Sequence, residues 1–519
     1  MKAGKIIRNT LTVGSFTALS RVLGLVREMF QSRLIGAGME QSAFALAFAL
    51  PNMARKLFGE GALTAAFVPV FRNEVEKTGL EKAARLARAV MTAVFAMLTA
   101  ACVLSMGALG LWAHFAELSP RAALIVSLVE TLLPYMLFIC GAAFGMGVLN
   151  ALGRFKASSF MPALLNILWI SSLAVLAFFP QLTAAERAKV VAWAILAAGA
   201  VQMAFMLVCM GRAGVAPRLT LHGWGDENAR LVWCNLAIAA MGAGAVQINY
   251  MLDQVLAQLA NPWAAGVISY AERLMDLPLG IIGVAFGTVL LPTFSALFAR
   301  DDVAGARSAF KSSIVSLMFA MLPAAAGLFA LAPEITAVIY QGGGFDAIAT
   351  TRVARSLAVY ATGLGFFGYM KTIVPWFQAQ NDMKTPLRVS VFTVVLNATL
   401  NILAVSLLPV EWRHVGLAAS TVVCSAAGCI ALTVLAKRKN GVLGLAGAMP
   451  AVAKILVASI VMGAAVWIAR GHAVALAGRI FANETLVRIA SLGMLVVAGG
   501  AIYLIAAFSL GVRFSRVRG

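Results

Sequence analysis

A chain of 519 residues that is 61% hydrophobic, only 12% charged and has a mean hydropathy of +0.90 is too apolar for a soluble protein, whose domains run at about 45–50% apolar. Apolar runs of about 20 residues recur from end to end, which excludes a sizeable soluble domain and specifies an all-α polytopic membrane protein. The net charge of +20 raises the question of nucleic acid, but its distribution along the chain answers otherwise.

Fourteen apolar segments are expected, near residues 11–34, 40–70, 89–113, 121–150, 157–180, 188–211, 229–258, 262–298, 310–340, 350–377, 386–409, 414–435, 449–469 and 485–512. The first runs well past a signal-peptide core and reads as a retained spanning helix. It carries Ser20, Arg21, Gly24, Arg27 and Glu28. A cation at mid-span costs about 2.5–3.5 kcal/mol on insertion scales, so it must face a wet cavity or meet an anion. Ser20, Gly24 and Arg27 share one helical face, and a bend at Gly24 would let Arg21 reach the same cavity. The alternative is a packing bridge between Arg27 and Glu28.

The second segment contains Leu50-Pro51-Asn52, then Arg55-Lys56, then Gly59-Glu60-Gly61. Pro51 is expected to interrupt the helix and the glycines to loosen it, which is acceptable at membrane depth only where the chain lines a cavity or is buried in protein. Here the plainer alternatives are a Lys56–Glu60 pair at i, i+4 and an interfacial Arg55.

In the seventh segment Asp253 stands mid-span, one turn from Asn249. It is a candidate for coordinating a monovalent cation or taking up a proton; a hydrogen-bonded structural role is the alternative. The eighth carries Tyr270, Glu272, Arg273, Asp276 and Pro278. A proline-containing span with three ionisable groups reads as a functional site, with an Arg273–Asp276 ion pair as the structural alternative. Asp382, before Lys384-Thr385-Pro386, reads first as a helix-start turn. Glu28, Glu272, Asp276, Asp253 and Asp382 are thus the acidic candidates for gating or ion coupling.

The six cysteines (Cys102, Cys140, Cys209, Cys234, Cys424, Cys429) lack metal-ligand spacing and read as buried thiols. The scattered histidines form no zinc motif, and no Walker A sequence signals ATP hydrolysis. No cofactor is expected beyond a monovalent cation, Na+ or H+, that would couple the cycle, with the membrane potential as the alternative drive.

Loops on one side hold about 24 lysines and arginines, those on the other about six, counted over the fourteen-segment alternation. The positive-inside rule then places both termini in the cytoplasm and accounts for most of the charge without nucleic acid. A weak internal echo recurs about 230 residues apart: Leu50-Pro51 with Leu277-Pro278, and Asn166-Ile167-Leu168 with Asn401-Ile402-Leu403. It suggests two parallel six-helix lobes, 1–220 and 221–442, followed by two added helices in 443–519.

Guanidinium groups grip phosphate in a fork with charge-assisted hydrogen bonds. Several arginines in one cavity suit a diphosphate better than a single carboxylate and repel cationic drugs. The expected substrate is a phosphate-bearing amphiphile or other polyanion.

At these residues the chain resembles the bacterial lipid II flippases, called MurJ or MviN. The matching motifs are Ser20-Arg21-x-x-Gly24-x-x-Arg27, Pro51-Asn52-x-x-Arg55-Lys56-x-Phe58-x-Glu60-Gly61-Ala62, Phe67-Val68-Pro69, Tyr270-x-Glu272-Arg273-x-x-Asp276 and Lys384-Thr385-Pro386. The resemblance runs the length of the chain. It implies membership of the MOP exporter superfamily, with two six-helix lobes across a cationic cavity. It also implies transfer of lipid II, the undecaprenyl-diphosphate-linked peptidoglycan precursor, from the cytoplasmic to the periplasmic leaflet by alternating access. By position, Arg21, Arg27, Arg55 and Arg273 match the family's cavity arginines, and segments thirteen and fourteen its lipid-tail groove. Ser20, Asn52, Lys56 and Glu60 complete the substrate-binding candidates. The chain departs at Ser42, where members often carry Asp, at Glu28, where Asp is commoner, and at Ala49, where some have Lys.

The expected function is therefore a lipid II flippase of the bacterial inner membrane, not an enzyme, in company with cell-wall synthesis proteins. A Na+ or H+ gradient or the membrane potential is the expected drive. The nearest rival is another MOP exporter, for a polysaccharide-linked lipid or, coupled to a cation, for drugs. A drug exporter would want acidic cavity residues. A membrane-embedded transferase or polymerase would need an extracytoplasmic acid or base, for which Glu117, Glu186, Glu411 and His414 are sparse candidates. A scaffolding protein would have no reason to bury the arginines.

Overall fold

The computed structural model describes residues 3–57, 62–220, 227–441 and 443–512. Among them the regular structure is helical throughout, and the chain forms two compact units, Met1–Val255 with Gly342–Phe345, and Leu256–Gln341 with Asp346–Gly519. The division falls inside a single helix rather than at a loop.

The first unit contains α1 (Ala3–Ile35), α2 (Met39–Ala54), α3 (Ala62–Thr78), α4 (Leu80–Phe115), α5 (Pro120–Leu132), α6 (Tyr135–Ala151), α7 (Phe155–Leu176), α8 (Ala184–Arg212) and most of α9 (Glu227–Ala260). Helix α1 packs along α7, and α6 along α8. Lipid tails are as apolar as leucine, so van der Waals fit and small residues, rather than water exclusion, hold such helices together. Gly199 of α8 is one such residue. A Cβ there would lie 2.5 Å from the Tyr135 ring, so only glycine admits α6 this closely. Pro120 starts α5 behind the Ser119 cap, and Thr183 with Glu186 forms a capping box at the start of α8. The core is one continuous cluster, centred on Phe44, Leu128, Tyr135, Phe144, Trp169 and Ile195.

The second unit contains α10 (Ala264–Phe298), α11 (Val303–Ala330), α12 (Ala332–Tyr340), α13 (Ala347–Gln378), α14 (Lys384–Leu407), α15 (Arg413–Asn440), α16 (Met449–Ile480) and α17 (Glu484–Ser509). Helix α13 is its centre, packed on α10, α11 and α15. Phe294, Phe310, Trp376 and Phe377 form one core among these helices. A second core, with Met462, Val466, Leu495 and Tyr503, joins α16 and α17 to α11.

Ten described segments are long and apolar enough to cross a membrane, with α5 and α6 together forming one of them. This is a multi-pass membrane protein. The four other expected spans, around 11–34, 40–70, 229–258 and 262–298, are helical as well, as α1, α2–α3, α9 and α10. They are the segments that carry the mid-span ionisable residues singled out above.

Two expectations need correcting. Pro51 does not interrupt α2, which runs through it to Ala54 before the backbone widens into a π-type turn over residues 55–57. A proline removes one i→i−4 hydrogen bond, and a long packed helix tolerates that loss. Pro278 and Pro292 are carried in the same way inside α10. Not every thiol is buried: Cys234 is exposed and Cys209 half-buried, because each sits on an outward face of its helix.

Candidate functional site

In the first unit α1 and α7 bring the expected residues together. Arg27 is 9% exposed and Glu28 8%. The Arg27 guanidinium forms a short ion pair with Glu28. From its other terminal nitrogen it donates to Asn166 Oδ1 at 3.0 Å. Asn166 in turn donates to the Ser20 carbonyl at 2.9 Å and to Ser20 Oγ at 3.3 Å. Beneath lies Trp169, its ring centre 4.2 Å from the guanidinium carbon. Phe44 and Phe48 stand edge-on to that indole and hold it in place. The cation is thus fixed by a carboxylate, an amide and a π-face, a combination that offsets much of its burial cost. A Cβ added at Gly24 would lie 3.7 Å from Asn166 Nδ2, an ordinary contact distance, so the Ser20–Gly24–Arg27 face is the face α7 covers. Arg21 is half-buried on the same helix.

The Arg27–Glu28 bridge raised as an alternative is present, but it does not exhaust the arginine. One face is stacked and two terminal nitrogens are engaged, and this geometry leaves the group oriented rather than merely neutralised.

On α2, Asn52 is buried and accepts from Arg55 Nε at 3.2 Å and Nη2 at 3.0 Å. This i, i+3 clasp sets the direction of Arg55 just where the helix widens. The Lys56 ammonium lies 5.1 Å from the centre of the Tyr250 ring on α9. Its expected partner Glu60 falls outside the described residues. Farther along α9, Asn249 donates to Asp253 Oδ2 at 3.3 Å, as their one-turn spacing anticipates.

In the second unit, Glu272, Arg273 and Asp276 project from α10. Arg273 and Asp276 are exposed, and Glu272 is half-buried and accepts from the Tyr360 hydroxyl of α13 at 3.4 Å. Asp382 stands apart from these. It accepts from the Thr385 backbone N–H (3.0 Å), the Thr385 hydroxyl (2.9 Å) and Lys439 Nζ (2.8 Å), which makes it the turn that opens α14. Partial burial pushes its carboxyl pKa up, but these three donors and the Lys439 charge outweigh that and hold it at about 2.

Sequence reasoning singled out the ionisable residues and missed their neutral supports. Asn166 appeared only as part of an internal echo, and Trp169, Tyr250 and Tyr360 not at all. An asparagine inside an otherwise apolar segment was the available signal, since a buried amide needs partners. Among the described residues no group of three or more histidine, cysteine or acidic side chains is placed to hold a metal ion.

A family model described as "Lipid II flippase MurJ" matches residues 31–484. Among curated proteins, a "Probable lipid II flippase MurJ" of Rhizobium tropici is 32% identical over 513 residues, covering 98% of this chain and 94% of that one. A "Lipid II flippase MurJ" of Burkholderia cenocepacia is 30% identical over 446 residues, covering 84% of each. Among solved structures, a lipid II flippase MurJ in an inward closed conformation shares the fold with a TM-score of 0.76 at 20% identity, covering 96% of this chain and 98% of that one. An inward-facing multidrug resistance MATE family transporter of the MOP superfamily follows with a TM-score of 0.70 at 15% identity, covering 82% and 95%. With its arginine motifs on α1, α2 and α10 and a family match over most of its length, the chain belongs to the MurJ family of lipid II flippases.

Proposed function

We propose that this chain moves lipid II from the cytoplasmic to the periplasmic leaflet of the bacterial inner membrane, by alternating access and with both termini in the cytoplasm. The diphosphate is the group recognised, and Arg21, Arg27, Arg55 and Arg273 serve as its ligands over the transport cycle. Arg27 carries the reading furthest: it is a buried arginine on a long helix, stacked on Trp169 and aimed by Asn166. Its fork is thereby held in one orientation on the α1 helix, the preorganisation that phosphate recognition uses. Asn52 and Lys56 support the second arginine site.

The bound diphosphate screens the cations from one another and lets the carrier close on one side and open on the other. The drive is the membrane potential, worth about 2.3 kcal/mol per charge per 100 mV, or a monovalent cation (Na+ or H+) taken up near Asp253. The undecaprenyl tail runs along α16 and α17, whose outward residues Val461, Ile468, Val497 and Ile505 are exposed and apolar. Cell-wall synthesis proteins supply and consume the cargo.

The test is lipid II translocation in reconstituted vesicles, with and without a potential and ion gradients, comparing wild type with Arg27→Ala at matched insertion. Translocation that depends on Arg27 is the expected result. A well-folded wild type that moves no lipid II under any of these conditions would overturn the assignment.

A further inference from the structure

One end of the second unit carries a cluster that the transport reading does not use. The turn between α9 and α10, the start of α13 and the turn between α14 and α15 meet there. Asn261 donates to the Val410 carbonyl at 2.7 Å, and Arg413 reaches the Ala260 and Leu408 carbonyls at 3.4 Å each. On this knitted platform two arginines of α13 lie on two tryptophans. The Arg352 guanidinium carbon is 3.8 Å from the Trp263 ring centre, and that of Arg355 is 4.7 Å from the Trp412 ring centre. Trp263 is held from another side by the fully buried His414, edge-on at 5.0 Å.

Neither guanidinium has an anionic or hydrogen-bonding side-chain partner among the described residues. Asp346 is spent on the Ala349 N–H at 2.7 Å, and Glu411, in the Trp412 turn, lies within ion-pair distance of neither. Like charges at i, i+3 on one helix repel. A ring face orients a guanidinium but leaves its N–H edge open, and that edge is the part that fits phosphate. The residues around it are apolar and exposed: Ile348 (59%), Leu407 (75%) and Val410 (53%). An unneutralised cation pair beside exposed hydrocarbon matches a ligand with a phosphate head and acyl chains.

We propose that Arg352 and Arg355 bind the phosphate of an anionic phospholipid headgroup, with Trp263 and Trp412 as the platform that fixes both guanidiniums. The charge asymmetry of the loops puts this end on the extracytoplasmic side, and only that placement rests on the transport reading. Binding itself does not depend on the cargo.

The full-length protein in detergent is titrated with short-chain phosphatidylglycerol, short-chain phosphatidylcholine and inorganic phosphate. Wild type is expected to prefer phosphatidylglycerol over phosphatidylcholine by about tenfold or more, given the contribution of each surface cation to anionic-lipid binding. The Arg352→Gln, Arg355→Gln variant loses that preference. Should the double variant fail to fold, the exposed Arg355→Gln alone tests the same point, with an expected loss of about threefold. An undiminished preference in a folded variant overturns the proposal. Inorganic phosphate binding as tightly as the lipid also overturns it, by assigning the site to a free anion. Lipid II translocation in parallel separates the two readings, since either can fail while the other stands.

Discussion

Arg27 and Arg273 are both cations expected near mid-span in long helices, yet they are set up differently. Arg27, in the first unit, is buried among Glu28, Asn166 and Trp169. Arg273, in the second, stands exposed on α10 one residue after a glutamate tied to Tyr360. The first is a group whose position is decided before any ligand arrives. The second is reachable from solvent. Preorganised cations contribute most to recognition because little ordering cost remains at binding, whereas an exposed one keeps more of that cost to be met when a ligand is bound. The same chemistry thus enters the protein twice, once fixed and once accessible.

The largest effect separates stability from transport at Arg27. Arg27→Ala leaves Glu28 buried and unpaired, a change that costs about 3–5 kcal/mol, and translocation falls by about 100-fold or more from loss of a charge-assisted phosphate contact and its geometry. Arg27→Ala combined with Glu28→Ala regains much of the stability, read as thermal midpoint in detergent, but none of the transport. If transport returns with stability, Arg27 is structural and the comparison fails.

Arg273→Ala is expected to lower translocation by a similar order while shifting stability by no more than about 1 kcal/mol, as for an exposed charge that has a partner. A large loss of thermal stability would show that Arg273 is as embedded in its own unit as Arg27. A smaller effect sharpens the contrast from the other direction. Asn166→Leu removes the bonds to both Arg27 and Ser20 and costs about 1–2 kcal/mol, with polar contacts in membrane bundles at the low end. Translocation falls by about tenfold, because an arginine released from its support meets the diphosphate less often in the right geometry. Arg27→Lys sits beside it, keeping charge and losing the fork, and should also retain part of the activity.

How much of this was legible beforehand follows from what each residue announces. Charged residues in apolar runs stand out in any sequence, so the first-unit and second-unit arginines were found, and the helical class with them. The partner of Arg27 lies 139 residues away, and nothing in local spacing connects α1 to α7. Trp169 and Trp263 were invisible because an aromatic in an apolar helix reads as core until a cation is seen on its face. Pro51 misled because a proline's effect depends on the packing around it, which one segment cannot report. The Asp253–Asn249 contact and the Asp382 turn were readable because both are local in sequence.

The smallest effect concerns that turn. The Asp382 carboxyl is held at about 2, below its ordinary value near 3.8. Its folded pKa is depressed, so its stabilising contribution is present above about pH 4 and is lost as pH falls through about 2. The Asp382–Lys439 pair is partly exposed, so Lys439→Ala should cost only about 0.5 kcal/mol at neutral pH. That difference should vanish near pH 2 in thermal unfolding of wild type and variant. A difference that persists there would assign Lys439 a role other than this pair.

Under the proposed function, the buried Arg27 and the exposed Arg273 both serve the diphosphate. The most direct measurement is lipid II translocation by Arg27→Ala, by Arg273→Ala and by the double variant, reconstituted at matched insertion and folding. Each single variant should be severely impaired and the double variant inactive. Full transport by a stable double variant would contradict the account.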